Sequence, residues 1–185
     1  MRIAVYCGSS PGTDPAFAKL AVEIGERIAA EGFTLVFGGS DAGLMGYVSN
    51  AALRAGGRVT GVVPRLERIW VRRHPGLTET VPAKDMAERR SIMISLADAF
   101  IALPGGIGTL DELSEVLCLK SLGVISGPVV LADPGSFWQP FTEMCAKMCD
   151  CGLMPPAVAE NLLVSGDTDE IFNYIKQKTG GQHGK

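Results

Sequence analysis

Three glycines and two carboxylic acids lie close together in residues 104–112, which read Pro-Gly-Gly-Ile-Gly-Thr-Leu-Asp-Glu. An apolar run at residues 98–103 predicts a buried strand before this stretch, and apolar residues at helical spacing predict a helix over residues 110–122. Glycine has no Cβ, so the backbone of such a strand-to-helix turn can approach a ligand closely. Thr109 is predicted to cap the helix, whose free N–H groups and positive dipole end suit a phosphate. The stretch therefore predicts a phosphate-binding turn, with Glu112 in the first helical turn facing the same ligand.

Two common phosphate-binding motifs are absent from this turn. A dinucleotide fingerprint requires G-x-G-x-x-G, but counting from Gly106 its last glycine would have to stand where Asp111 stands. A P-loop requires Gly-Lys followed by Ser or Thr, and the sequence contains no such tripeptide. The motif evidence thus disfavours NAD and ATP. A plain strand-to-helix turn, in which the glycines serve only packing, is the alternative.

Arg89 and Arg90 lie on the predicted helix at residues 85–97, one helix and one strand before Glu112, so they are expected to border the same cleft. A carboxylate beside a sugar phosphate suits chemistry at an anomeric carbon, because glycosidic cleavage passes through an oxocarbenium-like state that a carboxylate stabilises. Arginine is a poor general acid, so its role would be electrostatic and positional. One arginine could also bind the phosphate through two hydrogen bonds. The alternative for Arg89 and Glu112 is an ordinary ion pair between neighbouring helices.

Strands alternate with helices along the whole chain, which predicts an α/β fold with a mainly parallel sheet and helices on both faces. In open parallel sheets, ligands bind beyond the carboxyl ends of the strands, where the strand order reverses. The glycine turns at Gly8, Gly38 and Gly105 all follow predicted strands, so together they are expected to surround one small phosphorylated ligand. The stripe Phe137, Phe141, Met144 and Met148 on a helix over residues 137–149 is interpreted as core packing.

The rhythm of strands and helices breaks at residues 65–74, where four arginines and a histidine surround Trp70. Such a mixture could hold a phosphate or stack on a base. An exposed lid or a loop that contacts a partner is the alternative interpretation.

Length and composition limit the possible classes of protein. The 185 residues suffice for one core, so we expect a single domain at residues 1–179 and a flexible tail at residues 180–185. A net charge of −3 disfavours a general nucleic-acid binder. Neither a targeting segment nor a run of about 18 apolar residues is present, so a cytoplasmic protein that does not bind membranes is expected. Five cysteines, an odd number, fit a reducing compartment, and the cluster Cys145, Cys149 and Cys151 is interpreted as packing residues rather than a metal site.

Residues 104–112 also match the P-G-G-x-G-T-x-x-E signature of the Lonely Guy (LOG) family, which the sequence resembles over residues 3–156. That family consists of cytokinin-activating nucleotide phosphoribohydrolases, which are often labelled lysine decarboxylases. The further matching segments are Val5-Tyr6-Cys7-Gly8-Ser9-Ser10, Gly38-Gly39, Gly43-Leu44-Met45-Gly46, Gly61-Val62-Val63-Pro64, and Met86 with Arg89.

The resemblance implies a Rossmann-like, doubly wound nucleotide-binding domain, a homodimer, and no metal or organic cofactor. It implies hydrolysis of the N-glycosidic bond of an adenosine 5′-monophosphate, with or without an N6 substituent, to the free base and ribose 5-phosphate. Arg89 and Glu112 would be the catalytic residues. The substrate-binding residues would be Ser9, Gly39, Met86, Arg90, Gly105, Gly106, Ile107, Gly108, Thr109 and Asp111.

Two other functions stay open at this point. One is a non-catalytic carrier or sensor of a phosphorylated ligand, because molybdenum-cofactor carrier proteins share this fold and resemble the family at the phosphate turn. The other is a nucleotide hydrolase with a different base preference. The presence of both Arg89 and Glu112 favours an enzyme over a carrier, because a pure binder does not need that pair.

Overall fold

The computed structural model describes residues 1–70 and 72–180, and these form one seven-stranded sheet flanked by helices. The strands are β1 (Arg2–Tyr6), β2 (Thr34–Phe37), β3 (Arg58–Pro64), β4 (Glu79–Ala83), β5 (Ala99–Ala102), β6 (Val129–Ala132) and β7 (Leu162–Ser165). The helices are α1 (Pro15–Ala30), α2 (Gly43–Arg54), α3 (Glu67–Trp70), α4 (Met86–Leu96), α5 (Ile107–Ser121), α6 (Gln139–Asp150), α7 (Pro156–Glu160) and α8 (Thr168–Gly180). Every pairing between these strands is parallel, so the predicted doubly wound, Rossmann-like α/β fold is confirmed.

The strand order of the sheet reverses at β1. The strand order is β4-β3-β2-β1-β5-β6-β7, so the chain builds outward from β1 to β4 and then returns to the other side of β1. This reversal brings the turn after β1 against the turn after β5, where the Gly8 N–H donates to the Pro104 carbonyl over 3.0 Å. The predicted glycine turns at Gly8, Gly38 and Gly105 therefore do lie together at one edge of the sheet.

Alternate residues of the central strand β1 enter two separate cores. Ile3 and Val5 pack with α1, α2 and α8 on one face of the sheet. Ala4 and Tyr6 pack with α4 and α5 on the other face. Both faces of β1 are thus buried, as expected for the middle of a parallel sheet covered by helices. The second core lies directly beneath the helices that carry Arg89 and Glu112.

Helices α1 and α2 approach each other at Gly25, where a side chain has no room. A Cβ added there would lie 2.3 Å from the Val48 carbonyl oxygen and 2.9 Å from the Ala51 Cβ. We therefore expect Gly25→Ala to lower the free energy of unfolding by about 1–3 kcal/mol, because the helices must move apart. Urea denaturation measures this loss. Gly108→Ala is the matched control, because nothing lies within 4 Å of its added Cβ, and an equal loss in both variants would contradict the explanation.

Helix α5 begins three residues earlier than predicted, so the prediction that Thr109 caps it is wrong. Gly106 has an extended backbone, and its carbonyl accepts hydrogen bonds from the N–H groups of Thr109 and Leu110. The helix is therefore already closed at Gly106, and Thr109 is a buried residue inside its first turn. As a consequence, Glu112 lies in the second turn rather than the first.

The predicted packing stripe on α6 is wrong for one of its four members, Met144, which is 55% exposed. Phe137 precedes the helix, but its ring packs edge-on against Phe17 at a centroid distance of 5.6 Å. Trp138 and Cys145 are the buried residues of this segment. Asp133 accepts a hydrogen bond from the Phe137 N–H, which fixes where the helix begins and turns the Trp138 side of the segment inward. The predicted packing role holds for buried Cys145, whereas Cys149 is half-buried and Cys151 is exposed, so that prediction is wrong for Cys151.

Two sequence predictions concern the ends and the exterior of the chain. Of the predicted tail at residues 180–185, Gly180 is the last residue of α8 and the other five residues lie outside the described part of the chain. In the two described ranges, no helix combines the length and the apolar character that crossing a membrane requires.

Candidate active site

An open cleft of about 1090 Å³ lies at the carboxyl ends of β1, β2 and β5, where the strand order reverses. Its walls are the turns after these three strands, the first turn of α2, and the first two turns of α4 and α5. Residues 65–70 and 72–74, which include α3 and are called the α3 segment below, form the remaining wall. Ten of the twelve predicted site residues line it: Ser9, Met86, Arg89, Arg90, Gly106, Ile107, Gly108, Thr109, Asp111 and Glu112. The structure thus brings together residues from three separate segments of the sequence.

Gly39 and Gly105, the other two predicted residues, lie outside the lining of this cleft. Gly39 has a φ of 78°, and a Cβ added to it would lie 2.3 Å from a Val63 methyl group. A Cβ on Gly105 would lie 2.0 Å from the Thr109 hydroxyl. Both glycines let neighbouring segments pack closely behind the cleft, and a direct contact between either of them and a ligand stays a prediction.

Arg89 and Glu112 form a buried ion pair in the cleft. The Arg89 Nη1 lies 2.6 Å from the Glu112 Oε1, and each side chain is 9% exposed. The Arg89 Nε donates to the Val62 carbonyl over 3.2 Å, which fixes the guanidinium against β3. The pair therefore combines two features that the sequence presented as alternatives: it joins neighbouring helices and it faces a ligand-sized cleft.

The local sequence explains how Arg89 reaches this position. Asp85 caps α4 by accepting a hydrogen bond from the Glu88 N–H over 2.8 Å, which places Arg89 on the first turn of the helix. Gly38 leaves the space that the guanidinium occupies, since a Cβ there would lie 1.8 Å from the Arg89 Nη2. A side chain at residue 38 and the buried arginine cannot coexist without rearrangement.

The electrostatic environment of Glu112 favours its protonated form more than water does. Burial raises the pKa of Glu112, and the adjacent Arg89 cation offsets only part of that rise. Burial likewise raises the pKa of the Cys7 thiol, which lies at the cleft wall, and the nearby Glu112 charge adds to the effect. A carboxylate held in so dry a site interacts strongly with any positive charge that develops beside it.

Arg90, a predicted phosphate contact, lines the cleft and is held by two carboxylates. Its Nη1 lies 3.0 Å from the Asp111 Oδ2 and its Nε lies 2.6 Å from the Glu115 Oε2. All three side chains lie on α4 and α5 near the Arg89–Glu112 pair. This side of the cleft thus has two arginines, of which Arg89 has one acidic partner and Arg90 has two.

The first turn of α5 offers free backbone donors to the cleft. Gly106 precedes this turn and provides no side-chain cap, unlike Asp14 at α1 and Asp85 at α4. The N–H groups at the start of the helix and its dipole both favour an anion, and Gly108 leaves open space beside them. This geometry agrees with the predicted phosphate-binding turn, although Thr109 does not cap the helix.

Ten cleft residues were not named as catalytic or substrate-binding residues, although the turns at Gly8 and Gly38 were expected to surround the ligand. They are Cys7, Gly8, Ser10, Gly38, Ser40, Ala42, Met45, Arg68, Ile69 and Arg72. Arg68 and Arg72 belong to the arginine-rich segment around Trp70, which composition alone could not assign to a ligand or to a partner. His74 of the same segment lies outside the lining, where it is buried and contacts Asn50 through its Nε2 over 3.2 Å.

Metal ligation has no support in the geometry of the described residues. Among residues 1–70 and 72–180, no three histidines, cysteines or acids lie close enough together to hold a metal ion.

The chain resembles one protein family throughout most of its length. The family model described as "Possible lysine decarboxylase" matches residues 45–175. A cytokinin riboside 5′-monophosphate phosphoribohydrolase from Rhodococcoides fascians is 39% identical over 175 residues, which cover 94% of this chain and 88% of that protein. The enzyme of the same name from Oryza sativa subsp. japonica is 43% identical over 169 residues, covering 90% of this chain and 69% of that protein.

Solved structures with the same fold are more distant in sequence. The molybdenum cofactor binding protein from Rippkaea orientalis superimposes with a TM-score of 0.74 at 23% identity, covering 95% of each chain. The Moco carrier protein from Chlamydomonas reinhardtii gives a TM-score of 0.72 at 24% identity, covering 97% of this chain and 98% of that one. At this level of identity the likeness concerns the fold alone.

Proposed function

The chain belongs to the Lonely Guy (LOG) family, and on that basis we propose that it hydrolyses the N-glycosidic bond of adenosine 5′-monophosphate, with or without an N6 substituent. The products are the free base, a cytokinin where N6 carries the appropriate group, and ribose 5-phosphate. The observation that carries this proposal is the buried Arg89–Glu112 pair, which faces the cleft one helical turn beyond the free N–H groups of α5.

The spacing on α5 matches the shape of a nucleoside monophosphate. Gly108 and Glu112 are four residues apart and thus lie on the same helix face, separated by about 6 Å along the axis. A 5′-phosphate bound at the first turn therefore leaves the ribose ring to extend towards Glu112. The anomeric carbon then lies near the carboxylate rather than near the phosphate site.

Glu112 acts on the bond that breaks, and Arg89 holds the Glu112 carboxylate in place. As the C1′–N bond lengthens, positive charge develops on the ribose, and the desolvated Glu112 carboxylate stabilises it or activates the attacking water. Arg89 orients this carboxylate through their ion pair and offsets part of the rise in its pKa that burial causes. Water supplies the hydroxyl group of ribose 5-phosphate, and the departing base takes up a proton.

Lysine decarboxylation, the reaction in the description of the family model, does not fit the cleft. No lysine is found among the described residues that line it, so the cleft offers no amine for a Schiff base with pyridoxal phosphate. The carrier function has support only from structures that share the fold at 23–24% identity. The paired catalytic residues favour the hydrolase over both.

The proposed assembly is a homodimer, and the proposed location is the cytoplasm. Family resemblance and exposed apolar side chains outside the cleft support the dimer: Leu122, Val124, Met144 and Leu153. An odd number of cysteines, all free, fits a reducing compartment. Light scattering on the purified protein tests the assembly, and a monomer at micromolar concentration would contradict it.

Release of the free base tests the proposed reaction. The purified protein is incubated with AMP, N6-isopentenyl-AMP, adenosine, GMP and CMP, and the released bases are separated by chromatography. We expect release from an adenosine monophosphate but not from adenosine, because adenosine lacks the group that the α5 turn binds. No release from any of the five compounds would refute the proposal, and faster release from GMP or CMP would assign another base preference.

The raised pKa of Glu112 predicts the acid side of the pH–rate profile. If the carboxylate form is the active one, kcat/KM falls as the pH drops through this pKa, so the midpoint should lie above the ordinary value of 4.5. The Asp111 charge contributes to the rise, so Asp111→Asn should move the midpoint to lower pH. Glu143→Gln, a neutralisation on the exposed side of α6, should leave it unchanged. Identical midpoints in all three proteins would contradict this assignment.

A further inference from the structure

Two arginines of the cleft have no ionic partner among the described residues. Arg89 is paired with Glu112, and Arg90 is paired with Asp111 and Glu115. Arg68 and Arg72, which line the cleft from the α3 segment, form no salt bridge with any residue in the described ranges. The chain as a whole carries a net charge of −3, so this concentration of positive charge is a local property of the cleft.

The segment that carries these two arginines is attached to the turn after β2. The His74 N–H donates to the Gly39 carbonyl over 2.7 Å, and Arg73 forms an isolated antiparallel bridge with Ser40. Arg73 itself is engaged within the segment, where its guanidinium lies 4.9 Å from the centre of the Trp70 ring. The contacts of His74 and Arg73 therefore anchor the segment beside β2, and Arg68 and Arg72 are the side chains left to face the cleft.

Because the α3 segment is attached to the turn after β2, Arg68 and Arg72 are separated from the phosphate-binding turn after β5. β2 and β5 are both neighbours of β1, so they are two strand spacings apart, or about 10 Å. A 5′-phosphate at the α5 turn and a second anion near Arg68 and Arg72 would therefore be well separated. The adjacent phosphoryl groups of a diphosphate share one bridging oxygen, so they are too close together to occupy both places.

We propose that Arg68 and Arg72 form a second phosphate subsite, so that the cleft binds nucleotides with a second phosphoryl group remote from the 5′-phosphate. Adenosine 3′,5′-bisphosphate is the simplest ligand of this class. The guanidinium group suits this role, because its N–H donors match two phosphate oxygens at once. The inference rests on the proposed function in one respect, since it takes the α5 turn as the site of the 5′-phosphate.

Calorimetric titration tests the subsite without relying on turnover. AMP, ADP and adenosine 3′,5′-bisphosphate are titrated into a Glu112→Gln background, so that no ligand is consumed, and into the same background with Arg68→Gln and Arg72→Gln. The control carries Arg58→Gln and Arg65→Gln, which remove the same charge from exposed positions outside the cleft lining. We expect the bisphosphate to bind roughly tenfold more tightly than AMP, as one additional charge-assisted contact would give. That preference should disappear only in the Arg68/Arg72 variant.

Four outcomes would overturn the proposal. The first two are an equal affinity for AMP and the bisphosphate, and a preference for the bisphosphate that survives the loss of Arg68 and Arg72. The third is an equal loss of that preference in the Arg58/Arg65 control. The fourth is tighter binding of ADP than of AMP that depends on Arg68 and Arg72 as strongly as the binding of the bisphosphate does. The result is independent of base release by the unmodified protein. A preference without base release would support the subsite and refute the hydrolase, whereas base release without a preference would do the reverse.

Discussion

Glu112→Gln should lower base release from adenosine 5′-monophosphate by about 10²–10⁴-fold, the range typical for loss of a carboxylate that acts on the reacting bond. Glutamine has nearly the same shape and can still accept a hydrogen bond from Arg89, but it carries no negative charge. The positive charge that develops on the ribose then has no counterion at the position of the Glu112 Oε1, which lies 2.6 Å from the Arg89 Nη1. The loss should appear in kcat more than in KM, because the interaction strengthens in the transition state.

Glu115→Gln is the matched control for this experiment. Glu115 lies three residues further along α5 and pairs with Arg90, so the control neutralises a neighbouring acid on the same helix. Glu115 does not line the cleft, and its replacement should change kcat only a few-fold. A Glu112→Gln protein with nearly full activity, or equal losses in the two variants, would refute a catalytic role for Glu112. Circular dichroism spectra of both variants establish whether the fold is retained.

The fold was predictable because its signals are local. Each strand is a short apolar run, and each of Gly8, Gly38 and Gly105 follows such a run, so the alternation alone places three turns at one edge of a parallel sheet. The pairing of Arg89 with Glu112 follows from the same alternation, since α4 and α5 flank β5. What the sequence presented as two separate interpretations, an ion pair and an active site, is one arrangement in the structure.

The contribution of the α3 segment was not predictable, because it depends on contacts between distant parts of the chain. Arg68 and Arg72 face the cleft because His74 contacts Gly39 and Arg73 contacts Ser40. Neither contact produces a periodic pattern in the sequence. The same limitation explains the errors at α5 and α6. The start of α5 is set by the extended backbone of Gly106, and the start of α6 by the Asp133 carboxylate. Each start determines which face of its helix is buried, but neither changes the spacing of apolar residues in the sequence.

The second large effect concerns stability, because the Arg89–Glu112 pair lies inside the protein as well as in the cleft. Arg89→Met should lower the free energy of unfolding by about 3–5 kcal/mol at neutral pH, since it leaves the buried Glu112 carboxylate without its cation. Arg90→Met is the control: its partners Asp111 and Glu115 are more exposed, so the loss should not exceed about 1 kcal/mol. Urea denaturation of the three proteins measures both differences.

Two possible causes of this loss of stability are the unpaired Glu112 charge and the lost packing of the Arg89 side chain. A second substitution and the pH dependence of unfolding distinguish them. In Arg89→Met/Glu112→Leu no buried charge remains, so most of the lost stability should return, although the protein is inactive. In Arg89→Met alone, the pKa of Glu112 in the folded protein rises further, because the cation that lowers it is gone. The stability deficit of Arg89→Met relative to the unmodified protein should therefore be smallest below the pKa of Glu112 in the unfolded chain and should grow as the pH rises through its folded-state pKa. A deficit that is independent of pH and persists in the double variant would show that Arg89 stabilises the fold by packing rather than by neutralising Glu112.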